Sequence, residues 1–329
     1  MTNTEKFTLR DYQLQVIKET YQYFRNGIRS LLIYAPTGAG KTAIACKMIA
    51  DAVSKGKRVI FCVHRVNLIH QTQKTLSKYF GIESAIIWGN HPIDYDNPVQ
   101  IAMVQTLQHR ELPSNIGVVI IDEAHTTSYY KVCKRLFDTY SGGITVLSKC
   151  FFIGLSASPW RAKSTQGFCQ FFQEVVRAPC PQKLIELGHL CNARQFGYNG
   201  LIDYSKLDTD SSGDYTLKSM RGVCTPEFNQ EVVTKYLELC PTRKAIAFCS
   251  SVAQAQDLAS KFCSKGIPTA FIVANTSESE REEIFSKFAR SEIQIITSMG
   301  VLCEGFDEPS VEAVILARPT RSLAISTSK

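Results

Sequence analysis

The stretch Ala35-Pro-Thr-Gly-Ala-Gly-Lys-Thr42 decides the fold. An apolar run, Ser30-Leu-Leu-Ile-Tyr34, precedes it, and a helical pattern, Thr42-Ala-Ile-Ala-Cys-Lys-Met-Ile-Ala-Asp-Ala-Val53, follows it. Strand, glycine turn and helix in that order are the context of a nucleotide phosphate loop. Gly38 and Gly40 let the backbone turn tightly, so that the successive N–H groups that follow Pro36, those of Thr37-Gly38-Ala39-Gly40 and onward, face one anion. The helix that starts there adds its positive end. Lys41 reaches the β- and γ-phosphates in such a loop, and the Thr42 hydroxyl holds magnesium. Ala35 occupies the first position, where the general pattern has glycine.

The rest of the chain alternates in the same way. Apolar runs at residues 58–63, 84–88, 100–104, 117–122 and 149–155 read as strands, with helical patterns at 67–80 and 129–140 between them. Thr8, with Asp11 three residues on, is expected to cap a first helix within residues 7–29. Strands apolar on both faces and separated by helices imply an α/β fold with a mostly parallel sheet covered on both sides. This first domain is expected to span residues 1–185. Residues 186–225 have little periodicity and read as a connector or insertion. A second alternation fills residues 226–329: helices at 227–239, 252–265 and 277–289, and strands at 244–249, 268–273, 293–297 and 311–316. Ser277 and Glu280 form the cap of the third helix. Two tandem domains are expected to enclose a cleft.

Composition narrows the setting. The chain has 329 residues, two domains' worth, with 44% hydrophobic and 20% charged residues and a net charge of +7. That excess favours a polyanionic partner. Twelve cysteines are scattered without a Cys-x-x-Cys pair, so neither structural zinc nor a disulfide scaffold is expected. No signal-peptide core or membrane-length apolar run occurs, and a soluble cytoplasmic protein without membrane contact is expected. Oligomeric state is left open.

Asp122-Glu-Ala-His125 closes the buried run at 117–122. A carboxylate at the C-terminal end of a central strand stands at the crevice where such sheets bind ligands. Asp122 is the second candidate ligand for magnesium. Glu123 is placed to orient the attacking water and take its proton, and His125 can link this turn to a neighbour.

Together, the glycine loop and Asp-Glu-Ala-His resemble the superfamily 2 DEAD/DEAH-box helicases and translocases, of the RadD-like branch. The likeness extends over about residues 7–322. Arg10-Asp-Tyr-Gln13 resembles the adenine-recognising element, with Gln13 on the adenine edge and Arg10 beside it. Cys62-Val-His-Arg-Val66 and Met103-Val-Gln-Thr-Leu107 resemble strand-end elements that touch the nucleic-acid backbone, which implies contacts from His64, Arg65, Gln105 and Thr106. Gly154-Leu-Ser-Ala-Ser-Pro159 resembles the element that couples nucleotide to strand, through the hydroxyls of Ser156 and Ser158. In the second half, Ala247-Phe-Cys-Ser-Ser251 resembles the opening element of a second RecA-like domain. Thr297-Ser-Met-Gly-Val-Leu-Cys-Glu-Gly-Phe-Asp307 resembles a later element, in which Thr297 and Ser298 contact the strand while Gly305 and Asp307 approach the nucleotide.

The resemblance implies two RecA-like domains, ATP and Mg²⁺ as cofactors, hydrolysis, and a nucleic-acid partner with DNA preferred. Basic residues between 52 and 82 (Lys55, Lys57, Arg58, Arg65, Lys74, Lys78) suit phosphate neutralisation. Trp88 and Trp160 are aromatic candidates for base stacking, against core packing as the ordinary role. One departure stands out. After Ala317-Arg-Pro-Thr-Arg-Ser322 the motif continues in the family with Gln-x-x-Gly-Arg, whereas here the chain reads Leu323-Ala-Ile-Ser-Thr-Ser-Lys329. The expectation is a second domain incomplete at its C-terminus, without the arginine finger. The alternative to a working motor is then a protein that binds ATP and strand with little turnover.

Overall fold

Neighbouring residues of each central strand go to opposite cores. In β1 (Ser30–Tyr34), Leu31 and Ile33 enter one apolar cluster and Leu32 the other. In β2 (Arg58–Val63), Val59, Phe61 and Val63 part from Ile60 and Cys62 in the same way. Because side chains alternate across a strand, a continuous apolar run must be covered on both faces. That is why these segments read as unbroken hydrophobic stretches.

The computed structural model describes residues 7–125, 130–141, 150–158, 168–198, 200–210, 214–302, 308 and 310–320. The chain divides into two compact units, Met1–Ala193 and Arg194–Lys329. The first runs α1 (Asp11–Arg25), β1, α2 (Lys41–Val53), β2, α3 (Val66–Phe80), β3 (Ala85–Ile87), β4 (Val99–Met103), α4 (Val104–Leu107), β5 (Ile116–Ile121), α5 (Tyr130–Tyr140), β6 (Phe151–Ser156), β7 (Glu174–Arg177) and α6 (Pro181–Glu186). Its seven strands pair in parallel in the order β3-β4-β2-β5-β6-β1-β7. All carboxyl ends therefore lie along one edge, where open α/β sheets bind ligands.

The second unit has α7 (Leu217–Val223), α8 (Pro226–Leu239), β8 (Ala245–Cys249), α9 (Val252–Ser264), β9 (Thr269–Ile272), α10 (Glu278–Ala289), β10 (Ile295–Ser298) and β11 (Ala313–Ala317). Its strands are also parallel, in the order β11-β8-β10-β9. Ala245, Ala247 and Cys249 face one core, Ile246 and Phe248 the other. Among the described residues, no helix is long and apolar enough to cross a membrane.

Several local expectations change. The first helix is capped at Arg10 rather than Thr8: the Gln13 side-chain Oε1 accepts from the Arg10 backbone N–H at 2.9 Å, a back-bond of capping-box type. Thr8 lies outside the helix. Val104 leaves the strand to start α4, and Asp122 lies one residue beyond β5. Ser277 caps α10 through the Glu280 N–H, as its sequence implies. The stretch that reads as structureless carries a short 3₁₀ turn at Tyr204–Lys206 and α7.

Candidate nucleotide site in the first unit

The loop between β1 and α2 is held from below by its own unit. Ala35 N–H donates to the Ser156 carbonyl at 2.9 Å, which ties the loop to the end of β6. Gly38 and Gly40 have φ of +79° and +75°, a region that costs L side chains about 1–2 kcal/mol. A methyl on Gly40 would also stand 2.4 Å from Gln13 Nε2, and one on Gly38 2.6 Å from Leu190 Cδ2. No side chain caps α2 at Gly40, and its first turn has no acidic residue. The helix thus presents its N–H groups and positive end to the loop, an arrangement suited to phosphate. Pro36 and Ala39 are buried, Thr37 and Gly38 are exposed, and Thr42 is half-buried in the first turn.

Two side chains converge on the Ala39 carbonyl: Tyr12 OH at 2.8 Å and Gln13 Nε2 at 3.0 Å. Arg10 Nη1 donates to the Tyr12 hydroxyl at 3.2 Å. Gln13 is buried and both ends of its amide are engaged by backbone. The Arg10–Gln13 element therefore braces the loop directly. Tyr12 and Leu190 are contacts that the sequence does not single out, because they arise from packing and not from spacing.

The acidic turn is fixed as firmly. Asp122 N–H donates to the Cys62 carbonyl at 2.9 Å and Ala124 N–H to the Leu155 carbonyl at 2.8 Å. Between them Glu123 takes a φ of +47°, a left-handed conformation uncommon for a non-glycine residue. That geometry turns its side chain toward the loop, and Lys41 Nζ lies 3.3 Å from Glu123 Oε1. His125 Nδ1 is 3.2 Å from Glu123 Oε2, within ion-pair range but not aligned as a hydrogen bond. The same nitrogen pairs with Ser156 Oγ at 3.1 Å. Ser156 Oγ in turn donates to the Ser158 carbonyl at 2.6 Å and accepts from the Ser158 N–H at 3.1 Å. Ser156 joins the network through its hydroxyl, Ser158 through its backbone.

Asp122 is 5% exposed, and its Oδ1 has no hydrogen-bond partner. Burial pushes this carboxyl up to about 6; the charge of Glu123 adds to the rise, while Lys41 and His64 oppose it. A buried, unsatisfied carboxylate oxygen beside a lysine and a helix start is a fitting ligand for a hard divalent cation. Asp122 and Thr42 together offer the oxygen donors magnesium takes.

The other sequence candidates are more dispersed. His64 and Arg65 follow β2 and are half-buried, with His64 near enough to act on Asp122. Gln105 is exposed on α4, and Thr106 Oγ accepts from the Gly89 N–H at 3.2 Å. In the second unit Thr297 and Ser298 are both 0% exposed, on interior strand β10. The Thr297 hydroxyl donates to the Ala255 carbonyl at 2.8 Å. The hydroxyls expected to meet the strand are thus enclosed within the second unit in this structure. Gly305 and Asp307 lie outside the described residues.

Two parallel α/β sheets in tandem, the first with a braced glycine loop facing a strand-end acidic turn, define a protein of the tandem RecA-like class. The family model described as "Type III restriction enzyme, res subunit" matches residues 6–161, and "Helicase conserved C-terminal domain" matches residues 229–327. The chain belongs to the superfamily 2 helicases, whose members use ATP. It is 28% identical over 298 residues to a "51.5 kDa protein" of a Lactococcus phage, covering 89% of this chain and 60% of that one. It is 27% identical over 333 residues to "Putative ATP-dependent helicase IRC3" of Saccharomyces cerevisiae, covering 96% and 48%. The chain thus spans about half to three-fifths of the length of these curated relatives. The solved structure "ATP-dependent Type ISP restriction-modification enzyme LlaBIII bound to DNA" shares the fold at a TM-score of 0.64 and 18% identity, over 97% of this chain and 26% of that one.

Proposed function

We propose that this chain is an ATP-driven translocase or helicase acting on DNA, with its nucleotide site in the first unit. The observation that carries this reading is the convergence of Lys41, Glu123 and the unsatisfied Asp122 oxygen beside the uncapped start of α2. In this reading the loop N–H groups and Lys41 bind the triphosphate. Thr42 and Asp122 would hold magnesium, which neutralises phosphate charge when bound. Glu123 orients the attacking water and accepts its proton; His125 passes the state of that turn to Ser156 and the end of β6. Arg65, Gln105 and Thr106, on neighbouring strand ends, are the proposed contacts to the strand backbone. DNA is preferred because a relative from Sulfurisphaera tokodaii, 24% identical over 362 residues and 95% of this chain, is described as "DNA 3'-5' translocase XPB2". The DEAH and phosphate-loop roles of these residues are part of the proposal.

A second reading is binding of ATP and strand with negligible turnover. One observation favours it: Arg318, the described guanidinium nearest in sequence to the expected finger, lies 3.7 Å from Asp214 with its side chain 17% exposed. An arginine held there is not offered to a phosphate. Single-turnover hydrolysis of labelled ATP, measured without strand and with single-stranded DNA, single-stranded RNA or duplex, separates the readings. The motor reading expects strand-stimulated hydrolysis, greatest with DNA. Tight binding without stimulation selects the second reading, and stimulation by RNA alone overturns the choice of DNA.

A further inference from the structure

The turn after β3 is built around three aromatic rings. Trp88 packs one side against the first unit's core. His91 stacks on it, with ring centroids 5.3 Å apart and planes 23° from parallel, and His70 of α3 meets Trp88 edge-on at 6.5 Å. His91 and His70 are exposed. The turn is closed by His91 N–H donating to the Trp88 carbonyl at 3.0 Å. Both backbone groups of Gly89 are held from the next strand end: its N–H by Thr106 Oγ at 3.2 Å, its carbonyl by Arg110 Nη2 at 2.7 Å. A ring held open to solvent by a packed tryptophan and a turn bonded at Gly89 and His91 loses little freedom when something stacks on it.

Its position narrows what that something is. The turn follows β3, on the same sheet edge as the acidic turn, but three strands away in the order β3-β4-β2-β5. At about 4.8 Å per strand it stands roughly 14 Å from the acidic turn, and only two strands from Arg65. Thr106, a proposed backbone contact, is itself one of its supports. We propose that His91, backed by Trp88, is a stacking platform for an unpaired base of the bound strand. The proposal rests on the strand-binding part of the function above. Aromatic side chains, histidine included, stack on splayed bases without regard to sequence, which suits a protein that moves along a strand.

The test is the affinity of the full chain for a fluorescently labelled single-stranded oligonucleotide and for a duplex, by anisotropy. His91→Ala should weaken single-strand binding about tenfold, within the range for one stacked base, and leave duplex binding within twofold. His91→Phe should restore single-strand affinity, which a merely structural histidine would not predict. The chain has two tryptophans, so Trp160→Phe leaves Trp88 as the sole emitter, and its emission should be quenched by single strand. Single-strand binding that His91→Ala leaves unchanged, with Trp88 emission indifferent to strand, overturns the platform while the motor reading stands. Should His91→Ala not fold, equal affinities for His91→Gln and His91→Phe overturn it instead. A wild-type chain that binds no strand at all overturns the strand reading itself.

Discussion

Lys41 and Glu123 come from different strand-to-helix turns and meet with 3.3 Å between Nζ and Oε1. The glycine loop supplies the cation by ending β1 with an uncapped helix; the acidic turn supplies the carboxylate by forcing Glu123 into a left-handed backbone. In the proposed function this ion pair is a resting contact, from which a bound triphosphate would draw Lys41 away and leave Glu123 to the water.

Gly40→Ala should damage the loop more than an exposed glycine substitution would. The positive φ alone costs about 1–2 kcal/mol, and the methyl collides with Gln13 Nε2. The expected outcome is a lower melting temperature and at least tenfold weaker ATP binding. Adding Gln13→Ala removes the collision but not the backbone strain. The double variant should recover part of the stability, measured by thermal melting; no recovery would mean that the brace on Ala39 matters more than the clash.

Ser156→Ala tests the link between the acidic turn and the end of β6. It deletes a buried hydroxyl that bonds Ser158 and meets His125. Leaving those partners unsatisfied costs about 1–3 kcal/mol. The ratio of strand-stimulated to basal hydrolysis should fall, and His125→Ala should lower it similarly. Because the two side chains form one link, their double variant should be less than additive.

Asp122 gives a pH signature. Its carboxyl, pushed up to about 6 by burial first and by Glu123 second, titrates near 3.9 when unfolded. The folded state therefore holds the proton more tightly. The stability this contributes is fully present below pH 4 and lost as pH rises through about 6. Urea unfolding of the nucleotide-free protein should show that loss between pH 4 and 7. Asp122→Asn should abolish it and be more stable at pH 8 by up to about 3 kcal/mol. Equal pH slopes in the two proteins would contradict the assignment. Magnesium-nucleotide affinity should weaken in the opposite direction, as acid neutralises the ligand below about pH 6.

What could be read in advance follows from how locally each feature is determined. The loop at 35–42, the acidic turn and the strands of continuous apolar residues are written in short consecutive stretches, so both sheets and the meeting of the loop with the acidic turn were legible. The strand Glu174–Arg177 was not: it has four residues, of which only Val176 is buried. The helix Pro181–Glu186 likewise buries only Leu184. Thr8 resembles a cap by residue type, but the backbone turns helical only after Arg10, where Gln13 closes the first turn. Thr297 resembles a strand contact by motif, and on interior strand β10 its hydroxyl bonds the Ala255 carbonyl, a partner 42 residues away that no motif specifies. Tyr12 and Leu190 reach the loop through packing between distant segments, which no local pattern encodes.

Lys41, Asp122 and Glu123 are proposed to serve one magnesium-bound triphosphate. The most direct measurement is ATP affinity and single-turnover hydrolysis, side by side, for wild type, Lys41→Ala and Glu123→Gln in magnesium. Lys41→Ala should weaken binding by at least tenfold, whereas Glu123→Gln should bind ATP as tightly as wild type and lose hydrolysis by at least a hundredfold. ATP bound equally well by Lys41→Ala, or hydrolysed at the wild-type rate by Glu123→Gln, would contradict that assignment.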